Sequence, residues 1–264
     1  MTRPRPEWPF YAGLGLLGGT YVALVVALLT ADVLATTPGH LLKAFTAPDI
    51  RAALRLSLVS SALSTLLAMW AAVPLGYLLA RVPFPGRGLV ELLADVPLVL
   101  PPLVVGLSLL LLSQTPVGRA LSLGFPVAYE VPAVVAAQFA VTAAYATRSA
   151  RLTFGQLSPR AEEVARVLGC TRGQAFWLVT LPAARPGLVA AGTLSWARSL
   201  GEFGPVLVFA GVTRFKTEVL PTTVYLELAV GRLEAAVAVS LLLVGVAVAV
   251  LTGVRLTAGR GSDV

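Results

Sequence analysis

Charge is what this chain has least of. Only 12% of its 264 residues are Asp, Glu, Lys or Arg, while 57% are hydrophobic and the mean hydropathy is +0.84. A soluble domain carries about a quarter charged residues to keep its surface wet, so the excess apolar material must face something other than water. One large soluble core, the competing reading, would leave too little polar surface to enclose it. Cysteine is almost absent: Cys170 stands alone, which excludes an intramolecular disulfide scaffold. A single histidine, His40, likewise excludes a histidine-rich metal site, and no metal or resident cofactor is expected. There is no Gly-x-x-x-x-Gly-Lys-Ser/Thr phosphate loop, so any nucleotide-driven work must be supplied by another subunit. A formal charge of +7 would point to nucleic acid in a soluble protein. Here the placement of the charges matters more than their sum, and no nucleic-acid partner is expected.

Long apolar runs are what the chain has in plenty. Six stretches approach the length needed to cross a hydrocarbon layer about 30 Å thick at about 1.5 Å per helical residue. They cover residues 11–31, 56–80, 88–113, 131–147, 186–209 and 235–254. The first has no convincing small-residue cleavage site and is followed by further spanning material, so it reads as retained and not as a signal peptide. The second is preceded by the amphipathic residues 49–55, and Pro74 should bend it without ending it. Pro97, Pro101 and Pro102 fall inside the third; its Leu/Val content is too apolar for a loop in water, so a kinked or partly unwound crossing is expected. The pattern predicts an all-α integral membrane protein with one domain over residues 1–264.

Basic residues set the expected orientation. Twelve fall on one side of the six-helix arrangement, including Arg81, Arg87 and the run within 148–185, against seven on the other: Lys43, Arg51, Arg55, Arg119, Arg214, Lys216 and Arg232. Both termini and residues 148–185 are therefore expected in the cytoplasm. Arg51, Arg55, Arg119 and Arg214 could raise the local anion concentration outside, or could be ordinary solvated charges.

The long cytoplasmic connection has internal order. Ser158 or Pro159 can start a helix with Glu162 and Glu163 in its first turn, where carboxylates meet unpaired amides. Gly169 ends the pattern or permits a close approach, and a second piece follows from Thr171 as far as Leu181-Pro182. Ala161, Ala165 and Gly169, spaced by four, offer a compact surface. The residues themselves leave two readings open: a docking hairpin for a cytoplasmic partner, or an amphipathic hairpin lying at the headgroups.

The run Glu163-Val164-Ala165-Arg166-Val167-Leu168-Gly169, nine residues, then Val179-Thr180-Leu181-Pro182 resembles the EAA loop of permease subunits of ATP-binding-cassette importers. That family's pattern is Glu-Ala-Ala, three residues, Gly, nine residues, Ile-any-Leu-Pro; Val164 and Val179 are the departures. The resemblance implies that residues 148–185 form a coupling loop docking on an ATPase, with Glu163, Ala165, Gly169, Leu181 and Pro182 as coupling positions. It also implies the six-helix fold of a type I importer permease, multi-pass in a prokaryotic cytoplasmic (inner) membrane. The expected partners are a second copy of the chain, two ATPase subunits that hold ATP and Mg, an extracytoplasmic oxyanion-binding protein and the lipid bilayer.

A second run, Arg198-Ser199-Leu200-Gly201-Glu202-Phe203-Gly204-Pro205, is similar to the helix-five segment of molybdate and tungstate permeases. Sulfate and thiosulfate permeases share its Leu-Gly-Glu-Phe-Gly part, which keeps another small oxyanion as the alternative cargo. Arg198 and Glu202 are four apart and can pair on one helical face; they could instead serve a passing anion or a gate. Phe203 between Gly201 and Gly204 could close a constriction by dewetting, or could be a packing residue. Outside transport, an intramembrane enzyme lacks paired catalytic groups at a workable spacing, and no catalytic residue is assigned. A structural anchor without transport activity is the remaining class.

Overall fold

A computed structural model describes residues 8–122 and 125–259, and every regular element among them is helical. In chain order these are α1 (Trp8–Leu34), α2 (Pro38–Thr46), α3 (Pro48–Arg81), α4 (Arg87–Val99), α5 (Pro102–Gln114), α6 (Pro116–Leu121), α7 (Val131–Gln156), α8 (Arg160–Val167) and α9 (Arg172–Ala175). A π-helical turn (Phe176–Thr180) then leads into α10 (Leu181–Leu200), followed by α11 (Gly204–Phe209), α12 (Leu220–Ala229) and α13 (Leu233–Gly259). Arg3, Arg5 and Arg260, three of the twelve basic residues counted on the cytoplasmic side, lie outside the described residues.

Three helical stretches, Phe10–Leu34, Pro48–Arg81 and Leu233–Gly253, are long and apolar enough to cross a membrane. A fourth crossing results if α4 and α5 count as one broken span, bent by 113° between Val99 and Pro102. That bend is where Pro101 and Pro102 remove backbone donors, so the expected 88–113 helix is two helices. α7 and α10 are long enough but carry Arg148, Arg151, Arg185 and Arg198.

Several boundaries differ from the sequence reading. The 131–147 helix runs on to Gln156, because Arg151 at its far end is ion-paired with Glu91 of α4 instead of leading into a loop. The 186–209 helix starts at Leu181 with Pro182 in its first turn, where a missing N–H costs nothing, and stops at Leu200. Residues 157–180 are thus the stretch between α7 and α10. The connections 32–55 and 210–234 contain α2 and α12, two short helices that no apolar run announced. His40 lies on α2, with Nε2 3.1 Å from a Glu234 carboxylate oxygen.

Three clusters hold the helices together. Ala68 and Ala72 of α3, Ala146, Ala150 and Phe154 of α7, and Ala184 and Leu188 of α10 form the central one. Small residues let these backbones approach closely: a Cβ at Gly76 would lie 2.8 Å from that of Ala150. A second cluster joins Ala133, Val134 and Ala137 of α7 to Val206 and Phe209 of α11. The third joins Ile50 and Ala53 of α3 to Leu220 of α12 and Val239 and Leu242 of α13. None of the Phe10–Leu34 span is buried within the chain, the condition of an apolar helix whose solvent is lipid or another subunit.

Candidate functional site

The hairpin at 157–180 is built by caps. Glu162 and Glu163 occupy the first turn of α8, and the helix ends on Gly169 at φ 98°. There the Gly169 N–H donates to the Arg166 carbonyl (3.1 Å) and the Cys170 N–H to the Ala165 carbonyl (3.0 Å), satisfying the last turn as a left-handed glycine cap does. α9 opens with a reciprocal box: the Gln174 N–H donates to Thr171 Oγ1 (3.3 Å), and the Thr171 N–H donates to Gln174 Oε1 (2.8 Å). The π-turn continues α9 into α10 without a gap.

Glu162 ties this hairpin to the helices behind it. Its carboxylate accepts from the Tyr77 hydroxyl of α3 at 2.6 Å and from Thr180 Oγ1 at 3.0 Å. The Tyr77 ring meets the Phe176 and Phe154 rings edge-on, with centroids 4.7 and 5.5 Å away, and the Arg81 guanidinium donates to the Leu157 carbonyl. Sequence reasoning missed Glu162 as an anchor. It stands beside the motif's glutamate, but its partner Tyr77 is 85 residues earlier, beyond any local pattern.

The residues carried over by resemblance fall around this anchor. Glu163 and Gly169 are exposed, Ala165 is buried, and Leu181 and Pro182 open α10, with Leu181 packed on the central alanine cluster. The small-residue surface is therefore split, since Ala165 faces inward while Ala161 and Gly169 face out. The outward apolar face is Val164, Val167 (87% exposed) and Leu168 (81% exposed). No contact within 4 Å awaits a side chain at Gly169, so its need for glycine inside this chain is conformational.

At the other end of α10 the helix stops at Leu200 and restarts at Gly204. Arg198 Nη1 lies 2.5 Å from Glu202 Oε2, and the glutamate is 2% exposed against 38% for the arginine side chain. The expected pair forms across the helix end, not along a continuous helix. Gly204 packs against the first turn of α5, where an added Cβ would come within 3.1 Å of the Leu103 nitrogen. One turn along, a Cβ at Gly106 would lie 2.7 Å from Pro205 Cα. α5 and α11 thus meet backbone to backbone, and Pro205 sits in the first turn of α11 instead of kinking a helix. Phe203 is half-buried with its ring 5.4 Å from that of Tyr225 on α12, and Gly201 is exposed. Ser64 Oγ and Ser199 Oγ are 2.6 Å apart, fastening α3 to the same end of α10.

Charges also gather near α12. Arg214 bridges Asp49 (3.1 Å) and Glu227 (2.7 Å), Arg232 pairs with Glu227 (2.8 Å), and Lys216 with Glu130 (2.5 Å). Arg214 is therefore a structural partner as well as a surface charge. Burial pushes the Glu218 carboxyl in this connection above its ordinary range. Among the described residues no group of three or more His, Cys, Asp or Glu could hold a metal ion.

Residues 72–257 match the family of binding-protein-dependent transport system inner membrane components. The chain is 41% identical over 225 residues to a molybdenum transport system permease protein of Mycobacterium tuberculosis, covering 83% of each. It is 34% identical over 200 residues to a molybdate/tungstate transport system permease protein of Thermococcus kodakarensis, covering 76% of each. A sulfate transport system permease protein of Escherichia coli is 34% identical over 186 residues, 69% of this chain and 67% of its own. Among solved structures, a chain of a bacterial alginate ABC transporter in complex with its periplasmic protein superposes with a TM-score of 0.78 at 20% identity, covering 97% of this chain and 96% of that one.

Proposed function

The chain belongs to the binding-protein-dependent transport system inner membrane components, and from that premise we propose that it carries molybdate or tungstate inward by alternating access, six helices per copy, both termini cytoplasmic. It is an ATP-binding-cassette importer permease subunit of the inner membrane and not the subunit that hydrolyses ATP. The observation that carries the cargo is the 41% identity to a molybdenum permease over most of both chains. The sulfate relative keeps sulfate as the second reading.

The assembly is two copies of this chain, two ATPase subunits that bind ATP and Mg, and an extracytoplasmic oxyanion-binding protein. A homodimer is the simplest closed arrangement, since each chain brings one hairpin. Residues 157–180, the part of the expected 148–185 segment that lies between α7 and α10, form the cytoplasmic coupling loop of a single permease domain, and Leu181 and Pro182 carry it into α10. Glu163, Ala165, Gly169, Leu181 and Pro182 are its coupling positions, and the exposed Val164, Val167 and Leu168 supply the apolar face a docking cleft would cover. When the ATPases close, the hairpins are driven together. Glu162 passes that displacement to α3 through Tyr77, and the π-turn passes it into α10.

α10 is 20 residues long, roughly 30 Å of rigid helix. Its far end carries the Arg198–Glu202 pair and the Gly201, Phe203 and Gly204 break, which we assign to the translocation route. Competitive uptake of molybdate, tungstate and sulfate by the reconstituted complex with its own binding protein tests the cargo. Preferential uptake of molybdate or tungstate is expected, and preferential uptake of sulfate would replace that reading.

A further inference from the structure

We propose that the cleft between the α4–α5 joint and one face of α7 is a transit site for the tetrahedral oxyanion, held by Arg148, Arg198 and Tyr145; this rests on the oxyanion-importer reading above. Val141, Tyr145 and Arg148 lie at i, i+4 and i+7 on α7 and therefore on one face. They line a cavity of about 390 Å³ with Leu100 and Pro102 from the joint and Arg198 from α10. Pro102 opens α5, so the positive end of that helix's dipole borders the same wall.

Carboxylate content, not net charge, separates this cavity from its charged neighbours. The cavity beside α12 sets Lys43 and Arg232 against Asp49, Glu227 and Glu234, and the one under the hairpin sets Arg81, Arg166 and Arg172 against Glu162 and Glu163, so in both the carboxylates compete with an anion for the cations. A third, beside α6, is mostly apolar with Arg119 at its rim. The α4–α5 cleft holds two arginines and no carboxylate among its lining residues. Arg198 is neutralised through Nη1 by Glu202, leaving its other nitrogens as donors. Arg148 is exposed and has no carboxylate within 4.0 Å among the described residues. Asp95 follows Glu91 by one turn on α4 and lies outside the lining. One net positive charge with a phenol hydroxyl beside it is enough to attract a doubly charged oxyanion and too little to trap it, as transit requires.

The test is oxyanion uptake per ATP hydrolysed by the complete complex in proteoliposomes, with the loaded binding protein inside the assay. Arg148→Gln is expected to lower that ratio about tenfold, from loss of a charge-assisted hydrogen bond. Arg148→Lys should keep at least about half of it, because the charge remains, and Tyr145→Phe should lower it about threefold. An unchanged ratio in Arg148→Gln and Tyr145→Phe overturns the proposal. So does an equal fall in Arg148→Lys and Arg148→Gln, which would make Arg148 a geometric support. If Arg148→Gln fails to assemble, Tyr145→Phe, which loses one hydroxyl, decides alone. If the wild-type complex moves sulfate in place of molybdate or tungstate, the cargo reading falls while the same variants decide the cleft with sulfate. If it moves none of the three, both fall.

Discussion

The two ends of α10 are held by opposite means. At the hairpin end, side-chain hydrogen bonds do the holding: Glu162 accepts from Tyr77 and Thr180, and the apolar residues Val164, Val167 and Leu168 stay outside. At the membrane end, backbones are clasped: Gly106 lies against Pro205 and Gly204 against Leu103, with the Ser64–Ser199 hydroxyl contact and the Arg198–Glu202 pair, buried on its carboxylate side, beside them. Directional bonds through a carboxylate can swing as a unit with the hairpin. A glycine-to-backbone clasp tolerates no intruding atom and so must stay or part as a whole. The comparison teaches that one end is held by bonds that can turn with the hairpin and the other by a contact that cannot yield piecemeal.

Breaking the membrane end should cost most. Arg198→Met strands the Glu202 carboxylate, and a loss of about 3–5 kcal/mol is expected, read as lower thermal stability of the purified permease. Arg198→Met/Glu202→Gln should recover much of it, which a pair of melting curves would settle. Gly106→Val drives a side chain into Pro205, at a cost of about 1–3 kcal/mol, with uptake and stability falling together. At the hairpin end the signature should change. Glu162→Gln weakens both acceptor bonds at about 1–2 kcal/mol and should lower uptake per ATP more than it lowers the melting temperature. No larger is Gly169→Ala, about 1–2 kcal/mol for a Cβ at φ 98°. Gly169→Trp should insert into the membrane normally yet uncouple hydrolysis from uptake, and normal uptake in that variant would remove Gly169 from the coupling surface. Equal stability losses at both ends would erase the contrast.

Apolar runs made α1, α3 and α13 readable, because helices facing lipid must advertise it in composition. The three prolines likewise announced the broken α4–α5 pair. α2 and α12 were not readable: each is too short to span, and Arg214 read as an outer surface charge until folding paired it with Asp49 and Glu227. Arg148 and Arg151 looked like the start of a loop, yet Arg151 is satisfied by Glu91 from 60 residues earlier. At the hairpin, spacing located a stop at Gly169 and the start of a second helical piece at Thr171, which the structure shows to be its cap, because helix ends are local chemistry. The Glu162–Tyr77 bond and the Gly106–Pro205 clasp join distant parts of the chain, where no periodicity reaches.

The widened turn at Phe176–Thr180 sets an angular phase. Its closing bond runs from the Leu181 N–H to the Phe176 carbonyl, one residue wider than an α-turn. Each residue advances a helix by about 100°, so that one extra residue fixes which way Arg198 points relative to the exposed Val164, Val167 and Leu168 of the hairpin. Deleting a residue there would leave both ends chemically intact and turn one against the other, like a crankshaft with a journal keyed to the wrong slot.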